Sequence, residues 1–273
     1  MKAVFLDIDG VLQPPSNQER FDHLCEIDGI INRLNTEKPA EKDWAEYAKN
    51  CGKYDITATM FDWDPNAVNR LHHILETTGA KIILSSDWRN KGMSMMRALL
   101  SIHNLDGYLY DSLYHIDDYN ILLEGPDADE RMRQANIAHN EYMDMVFKLL
   151  DAFRKVYPSY EEPKRLWPVS VDERTTEIRE YLDRHQEITS YVAIDDRDLR
   201  LGLDGHAVTT LARLREAEAQ KCIEILQKED GPYRLPEGCN IPELQVWREK
   251  YKALIDINFN NEKHTVTNGE RQE

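Results

Sequence analysis

The chain predicts a doubly wound, mostly parallel α/β sheet with inserted cap-like segments. Short apolar runs recur along it, helical patterns separate them, and three of the runs end directly in acidic or hydroxyl residues. The first run, Ala3–Leu6, continues as Asp7-Ile8-Asp9-Gly10-Val11-Leu12. A continuous apolar run reads as a strand buried on both faces, delivering its last residues to the sheet edge where open α/β sheets keep their chemistry. Asp7 and Asp9 stand i, i+2 and so share one face of a strand. Their repulsion is costly without a cation between them, which points to a divalent metal. A strand ending in a plain polar turn is the simpler alternative.

The next element is a helix with both ends marked. Asp64 is its N-cap, Pro65 its first residue, Val68, Leu71, Ile74 and Leu75 its apolar face, and Gly79 its stop. The second strand, Lys81–Leu84, leads into Ser85-Ser86-Asp87-Trp88-Arg89. Hydroxyls at a strand's carboxyl end, before a helix start, suit an oxyanion or phosphate; a serine N-cap is the alternative. A weak third run lies near Tyr108–Tyr110. The fourth, Tyr191–Ile194, ends in Asp195-Asp196, and the fifth is Ala207–Thr210. Residues 212–228 and 241–255 read as amphipathic helices. Three polar strand ends on one sheet edge are a stronger signal than any one of them.

Two segments fall outside this pattern. Residues 13–60 read as polar and irregular, with Pro14-Pro15 and scattered aromatics. Residues 117–170 begin as an acidic loop and continue into a helix with Tyr142, Met145, Val146, Leu149, Phe153 and Val156 on one face, read as core or cap packing. The organisation expected is one α/β domain over 1–260, insertions at about 13–60 and 117–170, and an unstructured polar tail over 261–273.

The chain has 273 residues, 34 basic and 50 acidic, for a formal net charge of −16. That balance argues against a nucleic-acid partner, whose phosphates need a basic footprint. Cys25, Cys51, Cys222 and Cys239 show no C-x-x-C or metal-ligand spacing. No leader pattern and no apolar run of membrane-spanning length is present, so the expectation is a reduced, cytoplasmic chain with no membrane partner. His72-His73 are adjacent on a helix and do not face one another, so no metal pair is expected there. His103, His115, His185 and His206 have no partner pattern. Asp117-Asp118 and Asp127, Asp129 and Glu130 read as a solvated loop.

Phe5-Leu6-Asp7-Ile8-Asp9-Gly10-Val11-Leu12, then Ser85-Ser86-Asp87-Trp88-Arg89, Arg174-Thr175-Thr176-Glu177-Ile178 and Asp195-Asp196, in this order, resemble the haloacid dehalogenase (HAD) superfamily of phosphohydrolases. More narrowly, they resemble the HAD domain of Swiss Army Knife RNA repair proteins. The resemblance covers roughly residues 1–12, 61–110 and 170–226, and implies an HAD-like Rossmannoid fold. It implies Asp7 as the nucleophile forming an aspartyl-phosphate and Asp9 as the acid/base group. Mg²⁺ would be held by Asp7, the Asp9 carbonyl and Asp195, with Asp196 the second choice for that last position. Ser85 would bind the transferring phosphoryl group, with Ser86 and Gly10 as phosphate-binding helpers.

One departure is the lysine usual as the third motif of that superfamily. Arg174 is the best-placed cation here, with Lys164 or Arg165 behind it; the plain reading of Arg174 is a first-turn surface residue. Arg89 has two readings, a contact to substrate phosphate or a tie to a carboxylate. Trp88 reads as packing before base stacking. The function expected is a Mg²⁺-dependent phosphomonoesterase acting on a small phosphorylated metabolite or nucleotide, with a nucleic-acid end the less favoured partner. The alternative is a catalytically silent binding protein on the same scaffold. A kinase-phosphorylated receiver domain fits less well, because its accepting aspartate does not sit in a D-x-D on the first strand.

Overall fold

The computed structural model describes residues 1–49, 52–113 and 128–250. Five short strands are β1 (Lys2–Leu6), β2 (Lys81–Leu84), β3 (Leu109–Ser112), β4 (Ser190–Asp195) and β5 (Ala207–Thr209). They pair in parallel in the order β3-β2-β1-β4-β5. Each predicted run is therefore a strand, and the weak third one is displaced towards Ser112. β1 lies centrally because its whole length is apolar and buried.

Side-chain alternation divides the core. Val4, Leu6, Ile82, Leu84, Val192, Ile194 and Val208 face one layer. Ala3, Phe5, Ile83, Tyr191, Ala193 and Ala207 face the other. The first layer is built from α1 (Ile27–Glu37), α2 (Trp44–Tyr47), α3 (Gly52–Phe61), α4 (Pro65–Thr78), α5 (Met93–Ile102) and, after β5, a helix at Glu216–Leu226. The second layer receives Ile178, Tyr181 and Leu182 of a helix at Glu173–Arg184. We number the remaining helices α6 (Ala128–Val156), α7 (Glu173–Arg184) and α8 (Glu216–Leu226).

α4 has the ends that its sequence predicts. Asp64 Oδ1 accepts from the amides of Asn66 and Ala67 at 2.8 and 2.9 Å, and Gly79 closes the helix at φ +69°. The 13–60 segment corrects an expectation, because it is largely helical. Ile30, Ile31 and Leu34 of α1, Trp44 and Tyr47 of α2 and Ile56 of α3 are buried in the first core layer. α6 instead packs Tyr142, Met145, Val146, Leu149 and Phe153 into a separate cluster with Val171, Cys239, Leu244 and Trp247. Val156, placed on that face by its spacing, is 40% exposed at the helix end. Residues 242–250 are helical. The continuation to 255, the 261–273 tail, Asp117-Asp118, His115, Asp127 and Cys51 lie outside the described residues. Cys25, Cys222 and Cys239 are free thiols. Among the described residues no helix is long and apolar enough to cross a membrane.

Candidate active site

Register and alternation together assemble the site. Phe5 pairs with Ile83 on one side and Ala193 on the other, so two residues further on Asp7, Ser85 and Asp195 come side by side. The Asp7 amide donates to the Ile194 carbonyl and the Ser85 amide to the Leu6 carbonyl, both at 3.0 Å, which holds the three strand ends together. Asp7, Ser85 and Asp195 follow Phe5, Ile83 and Ala193 by two residues, so all three turn towards the α7 layer. Asp172 caps α7 by accepting from the Thr175 amide at 2.9 Å, which places Arg174 in the first turn, over the strand ends.

Arg174 is 4% exposed and reaches three carboxylates. Its Nη1 lies 3.1 Å from Asp195 Oδ2 and 3.5 Å from Asp7 Oδ1, and its Nη2 lies 3.3 Å from Asp87. Burial works against its charge, but Asp195, Asp7, Glu177 and Asp87 together outweigh it and raise its pKa further. Among the sequence candidates it is the cation at the cluster. Arg165 pairs with Asp198 instead, and Lys164 is exposed.

Asp7, Asp195 and Asp196 bring carboxylate oxygens within 4.8 Å of one another, two residues buried and one exposed. Burial pushes the Asp195 carboxyl up to about 7, with Asp7 adding to the rise and Arg174 opposing it. Burial likewise raises Asp7, against Arg174 and a hydrogen bond from Ser86. With all three ionised, the carboxylates and one guanidinium leave two negative charges, which one divalent cation would neutralise. The donor set is all oxygen and open on the Asp196 side, as a hard cation that also binds water and phosphate requires. The residues present therefore fit Mg²⁺. The Asp9 carboxylate is not in this group.

Asp9 lies at the exposed rim, where its Oδ2 accepts from the indole Nε1 of Trp88 at 3.0 Å. Desolvation raises its carboxyl above the ordinary range, and the Trp88 bond opposes the rise. Gly10 makes the turn between the two halves of the site at φ +74°. A Cβ there would stand 2.6 Å from the Asp196 Cβ, so glycine is needed for both its conformation and its size. The buried Thr210 hydroxyl donates to the Gly10 carbonyl at 2.6 Å.

Ser85 is 1% exposed and its Oγ has no hydrogen-bond partner. A buried hydroxyl left without a partner costs free energy, so this atom is a vacant polar contact beside the acidic cluster. Ser86 has less freedom, since its Oγ caps the turn at Asp87–Lys91 by accepting from the Trp88 amide at 3.3 Å. Arg89 is tied to protein groups. Its Nη1 donates to the Ser85 carbonyl at 2.7 Å and its Nη2 to both oxygens of Glu177 at 3.0 and 3.2 Å. Glu177 is buried, and Tyr142 of α6 also donates to it at 3.5 Å. Sequence reasoning did not assign roles to Glu177, Asp87 or Thr210. The R-x-x-E spacing was the available signal for Glu177, one helical turn after Arg174. His72 and His103 bond to the backbone: the His72 ring contacts the His103 carbonyl and the His103 ring the Thr59 carbonyl, each at 2.7 Å.

A family model described as the HAD domain in Swiss Army Knife RNA repair proteins matches residues 3–214. The match runs through 13–60 and 111–169, which the motif resemblance leaves out. No curated protein and no solved structure matches the chain.

Proposed function

The chain belongs to the family of HAD domains found in Swiss Army Knife RNA repair proteins, an α/β family of HAD-type hydrolases, and from that premise we propose that it is a Mg²⁺-dependent phosphomonoesterase. The observation that carries the reading is the Asp7, Asp195 and Asp196 cluster, faced by Arg174, at the ends of β1 and β4.

Asp7 attacks the phosphorus through a carboxylate oxygen, forming an aspartyl-phosphate as the bond to the leaving oxygen breaks. Asp9 gives its proton to that oxygen. It then takes a proton from the water that attacks the phosphorus, and cleavage of the Asp7–phosphorus bond returns the carboxylate and frees phosphate. Arg174 offsets the charge of nucleophile and phosphoryl group as the two anions approach. The Ser85 hydroxyl gains its missing partner from a phosphoryl oxygen, with Ser86 and the Gly10 turn shaping the same cradle. Asp7, Asp195 and Asp196, with the Asp9 carbonyl, would hold Mg²⁺, which would supply charge neutralisation for a dianionic substrate.

The net charge of −16 favours a small phosphorylated metabolite or nucleotide as the substrate. The family's description supports a second reading, the phosphorylated end of a nucleic acid. A phosphatase screen over metabolites, nucleotides and oligonucleotide ends, with and without Mg²⁺, tests the activity and separates the two. Metal-dependent hydrolysis that Asp7→Asn abolishes is expected. No hydrolysis of any phosphomonoester, and an Asp7→Asn variant identical to wild type, would favour the silent binding protein.

A further inference from the structure

We propose that Trp88 is a positioning residue whose indole N–H aims the Asp9 carboxyl group at the leaving oxygen. This rests on the acid/base reading of Asp9 above. An indole has one donor and no acceptor, and a buried one usually finds a partner. Trp88 is 6% exposed, yet its N–H is spent on a carboxylate at the exposed rim, 79 residues away in the chain.

The ring is held on several sides. Ser86 caps its backbone amide at 3.3 Å. Trp63 packs against it with centroids 5.9 Å apart, and Trp63 is itself stacked on His103 at 5.2 Å. The Lys91 ammonium sits 4.8 Å from the ring centre and pairs with Asp55 at 2.9 Å. Arg20, the other cation acting on Asp9, is paired with Asp62 at 2.5 Å. The donor in contact with Asp9 is therefore neutral and fixed in place.

Those two properties suit a group that gives and then takes a proton. The indole N–H donates to Oδ2 whether Oδ1 carries a proton or has lost it, so orientation survives both halves of the cycle. A cation at the same distance would favour the ionised form more strongly than the neutral indole does, and so oppose protonation more. The bond also occupies one oxygen and leaves the other for substrate.

Leaving-group release in single turnover reports the first step alone, measured with 4-nitrophenyl phosphate and with the alkyl phosphate that wild type hydrolyses fastest. An alkoxide needs its proton from Asp9, whereas 4-nitrophenolate leaves without one. For Trp88→Phe, release of the alcohol should slow by about tenfold to a hundredfold, and release of 4-nitrophenolate by less than about threefold. Replacing Trp88 by its benzothienyl isostere, which keeps the ring but lacks the N–H, should give the same split without disturbing packing. Equal loss on both substrates, or no loss on the alkyl phosphate, would overturn the proposal. Absence of hydrolysis by the wild-type chain would overturn the phosphatase reading itself and this inference with it.

Discussion

Asp7 and Asp9 are two residues apart and are held by opposite means. Asp7 is buried in a charged corner, with Arg174 at 3.5 Å and Asp195 and Asp196 close by. Asp9 stands at the rim and leans on a neutral indole at 3.0 Å. Identical side chains thus receive different chemistry from their surroundings. The corner concentrates negative charge that a cation must offset, which suits an anionic nucleophile working on an anionic substrate. The rim leaves one carboxyl group accessible and oriented, which suits proton transfer.

The sharpest way to break this contrast is Asp7→Asn. We expect turnover to fall by about a thousandfold or more, with circular dichroism unchanged. An active Asp7→Asn variant would mean that the corner is not the reacting centre.

Arg174→Ala comes next. It leaves Asp7 and Asp195 buried without their cation, and breaking such a pair costs about 3–5 kcal/mol. Urea unfolding in EDTA should show that loss, and Arg174→Lys should recover part of both stability and turnover. Unchanged kinetics in Arg174→Ala would move charge neutralisation to another cation.

Ser85→Ala separates function from stability. Turnover should fall about tenfold to a hundredfold, as for loss of one transition-state donor. Stability should hold or rise, because the buried hydroxyl has no partner to lose. A destabilised variant with normal turnover would make Ser85 a structural residue.

The smallest expected effect is on melting temperature. The raised carboxyl of Asp195 gives the folded chain more bound protons than the unfolded one between its ordinary value and about 7, and the raised Asp7 carboxyl acts in the same direction. The cluster therefore costs the metal-free protein stability as pH rises through that window, and the full cost is present above it. Mg²⁺ needs the ionised groups, so the melting-temperature gain of Mg²⁺ over EDTA should grow from about pH 5.5 to about pH 8. A gain independent of pH would place the ion elsewhere.

The corner was more legible in the sequence than the rim. Strands buried on both faces must be apolar throughout, so Ala3–Leu6, Lys81–Leu84 and Tyr191–Ile194 stood out, and their polar ends marked Asp7, Ser85 and Asp195. Asp64, Pro65 and Gly79 likewise announced α4, because capping is local chemistry. The 13–60 segment reads as irregular because each of its helices buries only a few large side chains. α2 has four residues and buries only Trp44 and Tyr47, too little for a periodic pattern. The bonds from Trp88 to Asp9 and from Arg89 to Glu177 span 79 and 88 residues. Spacing within one element cannot reveal such pairs, so Trp88 read as packing and Arg89 kept two readings. The 3.0 Å contact between Arg89 and Glu177 fits the second, a tie to a carboxylate.

The central claim is that the Asp7 carboxylate forms the bond to phosphorus. Turnover quenched with acid and reduced with borohydride converts an aspartyl-phosphate to homoserine, which peptide mass spectrometry locates. We expect homoserine at position 7, dependent on substrate and Mg²⁺. Reduction at Asp9, Asp195 or Asp196 instead, or no reduction at any carboxylate during sustained turnover, would contradict the account.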